Sequence, residues 1–173
     1  GWSDGEYWVV AVATAAPFFV SVLPHELSHA LVAQRVGLKV QGITLFIFGG
    51  VARSRAEFEN PRDEFIVAGV GPLTSFLLAG LLGGMAWLAA RLGLTVAATG
   101  VAAQLAVINL ALAIFNLLPG FPLDGARLLR AAVWQRTGDL RKATRWATTG
   151  GKVLAFGLIV LGLPQLFVGN LIG

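Results

Sequence analysis

The sequence predicts an all-α polytopic membrane protein: a bundle of about four transmembrane helices with a short re-entrant segment that resembles a β-hairpin. Three observations predict it. The chain is 56% hydrophobic and 13% charged, with a mean hydropathy of +0.76, whereas a soluble domain carries about 25% charged residues. Residues 65–90, 92–123 and 153–173 contain no charged side chain, and each run reaches the roughly 20 residues that cross a hydrocarbon core. With crossings over residues 7–36, 65–90, 95–118 and onward from 153, Arg91 is the one basic residue of 13 on the far side. That is the positive-inside pattern. It puts the amino end outside and the ends of the first and third crossings on the cytoplasmic side. It also accounts for the net charge of +4 and the pI of about 10.4 without a nucleic-acid partner.

The elements follow in chain order. Residues 7–24 become a full span if the helix continues to about Val36, where Gly37 supplies a C-terminal cap. The next stretch, "VQGITLFIFGGVARSR", is too short to cross and is broken by Gly49-Gly50. Its β-branched and aromatic residues read as a hairpin. Ile43, Leu45 and Ile47 alternate there with Thr44, Phe46 and Phe48, all too apolar to assign a face. Non-helical backbone at membrane depth must line protein or a water-filled cavity. A polar loop, "RSRAEFENPRDE", leads to a second crossing that carries Gly69, Gly71, Ser75, Ala79, Gly80, Gly83 and Gly84. Small residues there let helices approach closely. After the third crossing, Pro122 begins a short basic helix to about Arg136.

No internal repeat or second domain is evident, so residues 1–173 read as a single transmembrane core. A short polar lead and an apolar carboxyl end suggest that it is truncated at one or both ends. There is no cysteine, which excludes disulfides and thiolate metal ligands.

The chemistry is concentrated in "SVLPHELSHALVAQ". His25 and His29 are the chain's only histidines. Four residues apart on a helix, they lie about 40° apart around the axis, so both imidazoles can bind one Zn²⁺. Glu26 points about 100° away from His25, where it can take a proton from a metal-bound water. This is the mechanics of His-Glu-x-x-His. A lone histidine on an apolar face is usually structural, but ionisable groups inside a membrane segment mark function. Pro24 removes a helical hydrogen bond just before the motif, and a kink there would admit water.

A catalytic zinc has three protein ligands, and the chain has no third histidine. Asp124, in "NLLPGFPLDGARLL", is the carboxylate at matching depth. It reads equally well as a turn residue, because Pro-x-Asp-Gly is good turn chemistry.

"HELSHA" together with "NLLPGFPLDGAR" resembles the site-2 protease family of intramembrane zinc metalloproteases, in the branch that often carries CBS modules. The resemblance implies one Zn²⁺ per chain held by His25, His29 and Asp124, with Glu26 as the base. Asn116, the motif asparagine, would hydrogen-bond substrate or the developing oxyanion; otherwise it is a polar helix-packing residue. "FGGVARS" and "AGVGPLTSFLLAG" extend the resemblance over most of the chain.

Departures are Pro24, Gly125-Ala126 in place of two glycines, and the lack of a preceding membrane segment, a PDZ domain or a CBS module. The implied function is hydrolysis of a peptide bond in or near a substrate's transmembrane helix, releasing a membrane-tethered factor. The implied setting is a prokaryotic cell membrane, with the active site nearer the cytoplasmic side. Partners are then a membrane-protein substrate and the lipid bilayer, without nucleic acid; the oligomeric state is left open. The competing readings are a membrane metal transporter or metal-binding protein using the same His/Asp cluster, and an inactive scaffold. A transporter has no need of a base beside its ligands.

Overall fold

The computed structural model describes residues 4–38, 40–46, 49–54, 58–94 and 96–167. In chain order these form α1 (Asp4–Arg35), β1 (Val40–Phe46), β2 (Gly49–Ser54), α2 (Pro61–Arg91), α3 (Val96–Asn116), α4 (Asp124–Thr137) and α5 (Leu140–Phe167). Among the described residues, three helical segments are long and apolar enough to cross a membrane: Pro61–Arg91, Thr99–Asn116 and Leu140–Leu163. Ile47, Phe48 and Thr95 lie outside the described residues.

α1 runs without a break through Pro17 and Pro24. Pro24 cannot donate to the carbonyl of Val20, so the ladder loses one bond a turn before His25. Packing against α2 and α3 holds the helix across that loss. Its end is closed by Leu38 N–H to the Ala33 carbonyl at 3.0 Å and Gly37 N–H to the Gln34 carbonyl at 3.1 Å. That is the bonding pattern of a glycine-terminated helix. β1 and β2 then pair antiparallel, Thr44 opposite Val51 and Phe46 opposite Gly49, and both lie against α1.

α2 is the central helix and packs against α1, α3 and α4. The distribution of side chains is the reverse of a water-soluble core. The interior is built from small residues such as Ala30, Ala68, Ala113, Ala126 and Ala143, with buried Ser21, His25, His29, Glu64, Ser75, Asn109 and Asp124 among them. Large apolar side chains point outward: Leu77 and Val107 are each 66% exposed and Leu161 is 72% exposed. In water such a surface would aggregate. In a bilayer, lipid covers it, and small interior residues let the helices close.

α4 starts at Asp124, two residues later than the proline suggested. α5 starts at Leu140, well before the charge-free run at residue 153. Arg141, Lys142, Arg145 and Lys152 therefore ride on the first turns of the helix that continues into the apolar run. Polarity there marks where the helix meets water. It does not mark where the helix begins, because Lys and Arg are good helix formers.

Candidate metal centre

The centre is assembled from three helices. On α1 one face carries Ser21, Val22, His25, His29, Ala30 and Ala33, all buried, while Leu23, Leu27 and Leu31 face outward. The periodicity of an α-helix thus turns both histidines toward α2 and α4. From the other side comes Asp124, the first residue of α4. Its Oδ2 lies 3.1 Å from His25 Nε2 and 3.1 Å from His29 Nε2, and the two Nε2 atoms are 3.3 Å apart. These three residues are the group of metal-ligating side chains found among the described residues.

The fit to a metal is tested by the triangle itself. A tetrahedral ion with bonds of about 2.0–2.1 Å needs donors about 3.3 Å apart, and all three observed edges fall close to that. The hydrogen-bond chemistry agrees. His29 Nδ1 lies 2.6 Å from the Val67 carbonyl, which can only accept, so Nδ1 carries the hydrogen. In the neutral ring Nε2 then presents a lone pair to the centre. His25 Nδ1 lies 3.0 Å from Ser75 Oγ, which can accept in the same way. Both are the outer partners that fix the tautomer and orientation of metal-ligating histidines. Asp124 supplies the one carboxylate of the three. Two imidazole lone pairs and a carboxylate oxygen converging on one point make a cation site, and the nitrogen–oxygen donor set suits Zn²⁺.

α2 shapes the cradle. A Cβ built on Gly71 would overlap the His29 ring at Nε2 and stand 2.8 Å from His25 Nε2. The bare Cα is what lets the two rings meet. Gly125 plays the same part at α4, where a Cβ would strike the Leu117 carbonyl, holding the α3–α4 turn against the helix that carries Asp124.

The structure thus brings together His25, His29 and Asp124. Glu26 is half-buried on α1, directly after His25. Asn116 is half-buried at the end of α3, with its side-chain amide donating to the Leu112 carbonyl at 3.0 Å. Sequence reasoning took Gly71 and Ser75 for packing residues and gave Val67 no role; the small-residue run around them was the available signal. It also passed over Asn109, buried on α3, which donates to Ser21 Oγ at 2.9 Å and so ties α3 to α1 one turn before His25.

A bundle of membrane-compatible helices enclosing a buried His–His–Asp group, with a glutamate beside the first histidine, defines an integral membrane protein with a candidate metal centre. The chain belongs to peptidase family M50, whose model matches residues 13–93 and 82–158. It is 42% identical over 167 residues to Rip3 of Mycobacterium tuberculosis, covering 96% of this chain and 42% of that protein. It is 36% identical over 149 residues to zinc metalloprotease MJ0392 of Methanocaldococcus jannaschii, covering 86% of this chain and 42% of that one. The solved structure of the site-2 protease from Methanocaldococcus jannaschii superposes with a TM-score of 0.69 at 33% identity, covering 88% of this chain and 68% of the other. The chain spans about two fifths of the length of the relatives it matches.

Proposed function

We propose that this chain is the transmembrane core of an intramembrane zinc metalloprotease, which hydrolyses a peptide bond in or near the transmembrane helix of a membrane-protein substrate. The observation that carries this reading is the donor triangle of His25, His29 and Asp124, with edges of 3.1, 3.1 and 3.3 Å. The proteases it resembles by sequence and fold support the reaction class. The transport reading gains no support from either.

His25, His29 and Asp124 would hold the ion. Zn²⁺ bound there supplies a Lewis acid that acidifies a water and polarises a carbonyl. The chain's own groups do the rest. Ser75 and the Val67 carbonyl keep both imidazoles in ligating orientation. Glu26 accepts the proton of the attacking water as the oxygen bonds to the carbonyl carbon, and delivers it to the amine as the C–N bond breaks. Asn116 offers an amide hydrogen to substrate or to the developing oxyanion. Wide burial around the centre excludes bulk water, which strengthens each of these interactions.

α1 is the proposed further crossing, making four. Its amino end lies outside, and the histidines lie toward the cytoplasmic side of the cell membrane, where the basic residues gather.

Asp124→Ala leaves two ligands, and zinc content of the purified protein is expected to fall far below one per chain. Cleavage of a membrane-tethered substrate should fall with it, as it should when a chelator is added to the unaltered protein. Full zinc occupancy and activity in Asp124→Ala would remove Asp124 from the ligand set.

A substrate helix must unwind before cleavage, and its freed backbone groups need partners at membrane depth. The β1–β2 hairpin lies against α1 and, as a re-entrant element, would offer a strand edge for that purpose. Proline placed singly at Thr44, Leu45 and Phe46 removes one backbone donor each time. Loss of cleavage at alternate positions, with metal content and helicity unchanged, is expected. Equal tolerance at all three would leave the hairpin as a cover only.

A further inference from the structure

We infer that Glu64 and Arg130 are positioning residues that set Asp124 on the histidine pair. The inference rests on the metal-site reading above. Along α2 one face carries Glu64, Val67, Gly71 and Ser75, spaced three or four residues apart. Val67, Gly71 and Ser75 each meet a ligating histidine. Glu64 continues the stripe one turn toward the amino end of the helix and reaches α4 instead. It is fully buried, at 0% exposure. Its Oε1 accepts from Arg130 Nε at 2.8 Å and also from Arg130 Nη2. Arg130 lies six residues after Asp124 on the same helix, about 9 Å along its axis at 1.5 Å per residue.

Stability alone does not account for such a pair. Glu64 Oε2 is buried with no hydrogen-bond partner among the described residues. A desolvated carboxylate left half-satisfied is costly, and with the Arg130 side chain 26% exposed solvent screens part of the attraction that would offset that cost. What two N–H groups on one oxygen provide is direction: they fix the height and rotation of α4 against α2. The side chains at the start of α4 do not supply that direction. Its N-cap residue Leu123 makes no side-chain capping bond, and the Asp124 carboxylate is directed at the histidines. α2 thus orients all three ligands, the histidines from its middle and the aspartate, through Arg130, from its first turns.

The test is a Co²⁺ titration of the purified full chain, followed by d–d absorption, with melting recorded in parallel. The unaltered protein is expected to bind one equivalent with a tetrahedral spectrum; failure at this step would overturn the metal-site reading itself. Glu64→Leu combined with Arg130→Met is expected to keep its helicity and melting temperature but to bind Co²⁺ roughly tenfold or more weakly, in the range found for outer partners of metal ligands. Adding Asp124→Ala to that variant should cost much less affinity than Asp124→Ala costs alone, because residues acting through one another are not additive. If the apolar pair fails to fold, Arg130→Lys decides, since it keeps the charge but a single ammonium cannot place two separate N–H groups on one oxygen as the guanidinium fork does: weaker binding and a changed spectrum at unchanged melting support the inference. Unaltered Co²⁺ affinity and spectrum in the folded variant, or full additivity with Asp124→Ala, would overturn it.

Discussion

Gly71→Ala is expected to cost the protein its metal while leaving the helices in place. The added methyl would occupy the space where His29 Nε2 now sits and would crowd His25 Nε2. Neither ring can retreat without losing its outer hydrogen bond, to the Val67 carbonyl or to Ser75 Oγ. Alanine is otherwise favoured over glycine within a helix by about 0.8–1.0 kcal/mol, so α2 itself gains. Metal affinity should drop on the order of 100-fold or more, at the upper end of what outer partners of a ligand contribute. The control is Gly80→Ala on the same helix, where a Cβ meets nothing within 4 Å. Metal analysis and circular dichroism on both variants separate the outcomes. Full occupancy in Gly71→Ala would mean that the rings do not meet against α2 as described.

Glu26→Gln is expected to retain zinc and fold while turnover falls by roughly 10²–10⁴-fold, the contribution of a positioned general base. The amide keeps the size of the carboxylate and can still accept a hydrogen bond, but it cannot take up a proton at neutral pH. The loss should lie in the chemical step, so single-turnover cleavage with substrate bound is the measurement to make. A variant that cleaves at the unaltered rate with full zinc would assign the base elsewhere.

How much of this was legible depended on which atoms carried the information. The meeting of His25 and His29 on one buried face was legible from spacing alone, because the helix converts sequence distance into angle. The membrane class was legible from the charge-free runs, since a bilayer acts on whole segments. The placement of Asp124 was half legible: the residues around it fit a turn as well as a ligand, and its approach to His25 spans a separation of 99 residues. The start of α5 was hidden because its basic first turns look like loop in a polarity profile. Val67 was hidden for a deeper reason, since it acts through a main-chain oxygen that every amino acid possesses. Glu64 stood in plain view but next to a polar loop, where a charge is ordinarily solvated; its partner Arg130 lies 66 residues away in the sequence.

The role of the Val67 carbonyl has a consequence for how this site tolerates change. At position 67 the side chain is replaceable so long as it fits, because the group that orients His29 belongs to the peptide unit. What cannot vary is the count of residues between Val67, Gly71 and Ser75. Deleting one residue between Gly71 and Ser75 turns the serine by about 100° around α2 and carries it off His25, though every amino acid type at the centre is kept. Inherited variation in this helix should therefore run through exchanges of residue and stop at changes of length.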